Sequence, residues 1–212
     1  MQTQPDGFLA LPPNGSGAPV LVLHAWWGLN DTIKALCGRL AEAGYVAFAP
    51  DMFNGRVADN IADAEQLVQS HDGERTTAAV AVAVEYLDEL TGHNQRGLAI
   101  MAFSFGVWYA IEASIAFPDR VSKVIAFYGS GGGAFSAARA EYQFHYAEND
   151  PYEPRESWEG LAAALPKLGR TATFYSYPGT GHWFFEPDRL DAYNAEAAEL
   201  AWERALTFLN QR

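Results

Sequence analysis

The chain has 212 residues, 49% hydrophobic and 19% charged, with a formal net charge of -12 at pH 7. That length suits one domain with a substantial core, and the composition excludes a disordered or low-complexity chain. The negative field repels phosphate backbones and anionic lipid surfaces, which sets nucleic acid and membranes aside as partners, and the single cysteine, Cys37, excludes an intrachain disulfide framework or a cysteine-based zinc site.

The first 19 residues are rich in Pro, Gly and Gln and lack the basic start and apolar run of a signal peptide. The longest mostly apolar stretch, residues 18–29, is interrupted by His24 and is too short to span a bilayer, so a cytoplasmic protein is expected. Strand-like runs follow at residues 20–24, 45–49, 97–103, 121–127, 141–147 and 171–177. Several are apolar throughout, as strands covered on both faces should be. Between them lie helical patterns at 31–43, stopped by Gly44, and at about 60–90, split near Asp72 and Gly73. Others run over 106–117, about 155–168 and 189–209. This alternation predicts an α/β fold with a mostly parallel central sheet and helices on both faces, a single domain over 1–212 without a large cap. The Gly-rich run 129–133 and the short segment after it leave no room for a full helix before the next strand.

The segment with the most chemistry is the apolar strand ending at Phe103, which runs into Ser104 and then directly into an apolar-periodic helix. A nucleophilic serine exposed above a sheet needs a very tight turn with small residues around it, here Ala102 and Gly106. A serine needs a base held by an acid, and in such a fold the chain order is serine, acid, histidine. Asp150 and His182 follow in that order, each just past a strand. Asp150 also suits a turn before Pro151, Glu148 is a second acid nearby, and Ser104 alone could be a turn residue. Oxyanion donors are expected from the backbone N–H of Phe105 and from the loop after the first long strand, with Trp26 favoured there. Trp27, Trp183 and other aromatics near these segments form either a substrate pocket or core.

Three groups of residues carry a resemblance: Val20 to Asn30; Ala49 to Phe53 with Arg56 after it; and Phe103 to Gly106 with Asp150, Pro154, Gly181 and His182. Together they resemble the dienelactone hydrolase family of α/β hydrolases, from about Val20 to Leu209. The resemblance implies the α/β-hydrolase fold and hydrolysis of small carboxylic esters or lactones by a nucleophile–His–Asp triad, with no metal or cofactor. Three departures shape what carries over. The family's founding members have cysteine where this chain has Ser104, which points to a serine esterase or lactonase. They carry glutamate where this chain has Ala25. They hold a substrate carboxylate with two arginines, of which Arg56 matches one, while the run after His182 ends in Glu186; this points away from dienelactone itself. Arg56 is otherwise a solvated loop residue.

Two other readings compete. Gly129 to Ala134 satisfies G-x-G-x-x-A, but a dinucleotide site needs a full helix immediately after it. A non-catalytic scaffold of the same fold, binding a small ligand or a protein partner, is the alternative from a different class.

Overall fold

A computed structural model describes residues 3–211; Met1, Gln2 and Arg212, which the single-domain expectation includes, lie outside them. The elements in chain order are β1 (Gly7–Ala10), β2 (Ala18–Leu23), α1 (Asp31–Glu42), β3 (Tyr45–Pro50), α2 (Ile61–Ser70), α3 (Gly73–Leu90) and β4 (Leu98–Phe103). They continue with α4 (Phe105–Ala116), β5 (Val121–Phe127), β6 (Glu141–Asn149), α5 (Arg155–Ala164) with a 3-10 turn at Leu165–Leu168, β7 (Ala172–Gly181) and α6 (Ala195–Asn210).

The seven strands form one sheet in the order β1-β3-β2-β4-β5-β6-β7. Only β1 is antiparallel to its neighbour. Side chains alternate across a strand, so each apolar run feeds two cores. Val20 and Val22 of β2, with Met101 and Phe103 of β4, pack with Leu36 and Leu40 of α1 and Trp202 and Phe208 of α6. Leu21, Leu23, Ile100 and Ala102 face the other way, onto Val84 and Leu87 of α3 and Val107 and Ile111 of α4. This is why β2 and β4 read as unbroken apolar runs.

Four helix starts are fixed by a side-chain oxygen that accepts a backbone N–H in the first turn: Asn30 for α1, Asn60 for α2, Asp72 for α3 and Asn194 for α6. The last of these corrects the expected start at residue 189. Residues 189–194 instead form turns, with Ala192 and Tyr193 N–H bonded to the Arg189 carbonyl and Asn194 N–H to that of Phe184. The edge strand β1, four half-buried residues, is an element that hydrophobic patterning did not mark.

Two registers position the chemistry. At the β4–β5 pairing Phe103 lies opposite Phe127, and the next residue, Ser104, donates its N–H to the Phe127 carbonyl at 2.9 Å. At the end of β6–β7 a bulge after Ala147 sets Asn149 opposite Gly181. The residues that follow, Asp150 and His182, therefore leave the sheet side by side. No helix follows the glycine run at 129–133, so the helix that the dinucleotide fingerprint requires is absent among the described residues. No described helix is long and apolar enough to cross a membrane.

Candidate active site

Ser104 stands between β4 and α4 with φ 45° and ψ -111°, a backbone conformation that side-chain-bearing residues rarely adopt. The turn is tight enough that a Cβ at Gly106 would lie 2.6 Å from the Leu23 carbonyl oxygen and 2.7 Å from that of His24. Glycine is required there by close approach of the β2 backbone, and Ala102 is completely buried two residues before the serine.

Ser104 Oγ lies 2.8 Å from His182 Nε2. On the other side of the ring, His182 Nδ1 is 2.8 and 2.7 Å from the two carboxylate oxygens of Asp150. Both partners are almost fully buried, with side-chain exposures of 3% and 2%. Asp150 Oδ1 also accepts the backbone N–H groups of Tyr152 and Glu153, both at 2.9 Å, so its orientation is set by its own turn. The turn-forming reading and the acid reading of Asp150 thus describe the same geometry. Glu148 is committed elsewhere, accepting the Gly179 N–H at 2.8 Å.

No acceptor stands against the backbone N–H of Phe105 or of Trp26 among the described residues. A hydroxyl bonded to an imidazole, itself bonded to a buried carboxylate, with two free N–H donors nearby, has the parts needed for acyl transfer.

The aromatic residues sort into two groups. Trp183 packs edge-on to the His182 ring at 4.9 Å, and Tyr152 lies 5.0 Å from it. Trp26 stacks on Trp183 at 5.7 Å and Trp27 meets the same indole at 5.0 Å. A cleft of about 740 Å³ opens beside His182, walled by Trp27, Tyr152 and Trp183 with Asp59, Asp188 and Arg189. Phe184 is wholly buried, Trp108 is exposed, and Phe105 packs on Phe53 and Tyr109. Arg56 is placed elsewhere: its guanidinium bonds to the Phe53 carbonyl and Ser70 Oγ and lines a separate hollow against α2. Of the remaining histidines, His145 is buried between Tyr177 and Gln143, His93 pairs with Asp88, and His71 meets the Tyr109 hydroxyl.

Sequence reasoning missed the support beneath His182. The Tyr128 ring lies 4.9 Å from the imidazole, and its hydroxyl donates to Glu186 Oε1 at 2.6 Å. Burial pushes the Glu186 carboxyl up to about 8 and holds the Tyr128 hydroxyl well above the usual phenol range. Of the five non-glycine residues with positive φ among those described, Ser104, Tyr128 and Trp183 all touch or adjoin His182. Such conformations cost roughly 1–3 kcal/mol each and cluster where a site is held in shape by its surroundings. The only sequence signal for Glu186 was its place at the end of an aromatic run.

A mostly parallel sheet carrying a serine at the β4–α4 turn, and an acid and a histidine after β6 and β7, defines an α/β hydrolase. Residues 6–212 match the model of the dienelactone hydrolase family. The chain belongs to that family and is a hydrolase of esters or lactones. It is 31% identical to a protein of Aquifex aeolicus named "Putative carboxymethylenebutenolidase", with 95% of this chain and 91% of that protein covered. It is 29% identical to "Protein usf" of Aquifex pyrophilus, covering 97% and 92% respectively. Among solved structures, "Putative Dienelactone Hydrolase" from Klebsiella pneumoniae superposes with a TM-score of 0.84 at 24% identity, over 96% of this chain and 92% of that one.

Proposed function

We propose that this chain, acting as one α/β-hydrolase domain, cleaves small carboxylic esters or lactones through a covalent acyl-serine intermediate. The observation that carries the reading is the unbroken hydrogen-bonded series Ser104 Oγ, His182, Asp150, built from three strand ends. Asp150 holds the proton on Nδ1, which leaves Nε2 free to accept the Ser104 proton as Oγ attacks the carbonyl. The Trp26 and Phe105 N–H groups receive the developing oxyanion. The imidazolium then protonates the leaving alkoxide, and water, deprotonated by the same imidazole, releases the acid and restores the serine. With a lactone the leaving alkoxide stays tethered and the product is a hydroxy acid.

The cleft supports a preference for neutral, flat acyl or alcohol groups. Its walls include Tyr152, which is exposed and can take a substrate ring, and Trp27 and Trp183, which are almost wholly buried; Asp59, Asp188 and Asp191 also line it. Its one guanidinium, on Arg189, is already bonded to Asp188 at 2.6 Å and lies over the Trp27 ring at 4.1 Å. Ser104→Ala tests the nucleophile directly. A fall in kcat of about 10⁴ or more on an ester that the wild type turns over is expected, as for other triad knockouts. Retention of most of the activity in the folded variant overturns the assignment.

A further inference from the structure

His24 takes no part in the proton transfers, yet it is completely buried at the end of β2, between the nucleophile turn and the oxyanion loop. Its Nδ1 lies 2.6 Å from the Ala25 carbonyl oxygen, and its Nε2 lies 3.2 Å from the backbone nitrogen of Met52. A backbone N–H can only donate, so Nε2 is the acceptor and Nδ1 carries the proton. Burial pushes the imidazole down to about 4, which keeps this single neutral tautomer through the neutral range. Phe53 packs on the ring at 5.2 Å and limits its rotation.

The consequence lies in the next peptide. The Ala25–Trp26 bond is trans, and in a trans peptide the C=O and N–H vectors point in opposite directions. Holding the Ala25 oxygen toward His24 therefore turns the Trp26 N–H away from it. That N–H has no other partner among the described residues. The Gly28 N–H also donates to the Ala25 oxygen, at 3.2 Å, a longer bond than the 2.6 Å from His24 Nδ1. The His24 backbone abuts α4 where Gly106 approaches it, next to the second proposed donor, Phe105.

Resting on the acyl-transfer reading above, we infer that His24 is the positioning residue of the oxyanion site: its Nδ1–H holds the Ala25 carbonyl and thereby aims the Trp26 N–H at the reacting oxygen. The test uses two variants that each keep half of the ring's bonding. In His24→Asn the amide nitrogen replaces Nδ1 and still donates to Ala25. In His24→Gln the amide oxygen replaces Nε2 and still accepts from Met52, but the Ala25 bond is lost.

His24→Gln is expected to lower kcat by about 10²–10³, the scale of removing one oxyanion donor, with little change in KM. It should weaken a trifluoromethyl ketone inhibitor, which forms an oxyanion on Ser104, by a similar factor, and His24→Asn should restore most of both. Equal losses in the two variants, or wild-type kcat in folded His24→Gln, overturn the inference. If Ser104→Ala stays active, the underlying acyl-transfer reading fails instead. Nitrogen-15 NMR of imidazole-labelled wild type gives a readout independent of variant folding: a protonated Nδ1 on His24 at neutral pH is expected, and the Nε2–H tautomer contradicts the inference.

Discussion

Replacing Glu186 by glutamine should change how the stability of this protein depends on pH. The carboxyl is 1% exposed, Oε1 accepts the Tyr128 hydroxyl at 2.6 Å, and Oε2 is buried without a partner among the described residues. Burial dominates and Asp188 adds to it, while the Tyr128 hydrogen bond and Arg189 act in the opposite direction; the carboxyl rises from 4.5 to about 8. Below about pH 4.5 the group is protonated in both the folded and unfolded chains. Between there and about 8 the unfolded chain gives up the proton and the folded chain keeps it, so the stability present at low pH is lost as pH rises through the folded value. At about 1.4 kcal/mol per unit of pKa difference, the loss is of the order of a few kcal/mol. Glutamine keeps an acceptor for Tyr128 and cannot ionise, but leaves an unpartnered amide N–H where Oε2 was, at roughly 1–3 kcal/mol. Urea melts at pH 5, 7 and 9 should show Glu186→Gln no more stable than wild type at pH 5 and more stable at pH 9. Stability curves that stay parallel across this range refute the burial argument.

The other predictions concern the site. Asp150→Asn keeps the shape of the side chain but favours the wrong imidazole tautomer, and should lower kcat by about 10⁴ with KM little changed in steady-state ester hydrolysis; a loss under tenfold contradicts the role of Asp150. Arg56→Ala should change kcat/KM equally for acidic and neutral esters of one alcohol, since the guanidinium faces α2 and not the cleft beside His182. A selective loss on the acidic ester would instead support a carboxylate-binding role.

Much of the architecture was legible because the central strands β2, β3 and β4 are covered on both faces and therefore read as apolar runs that needed no tertiary information. The edge strand β1 escaped because four half-buried residues carry no pattern. The start of α6 was misplaced because residues 189–194 have ordinary helical composition, and only the bond from Asn194 to the distant Phe184 carbonyl, together with the Asn194 cap, decides the boundary. In the site, Ser104, Asp150 and His182 could be named because each is tied to a strand end, where order along the chain becomes proximity in space. The Tyr128–Glu186 pair could not be found that way, since it joins residues 58 apart through packing under the His182 ring. Arg56 matched by sequence position, yet its direction is set by local bonds to Phe53 and Ser70.

The most direct test of the central claim is labelling of the folded protein with a fluorophosphonate at neutral to mildly alkaline pH, read by intact mass and peptide mapping. One adduct is expected, located on Ser104 and lost in His182→Ala. No adduct, or an adduct on a residue other than Ser104, contradicts the serine-nucleophile assignment.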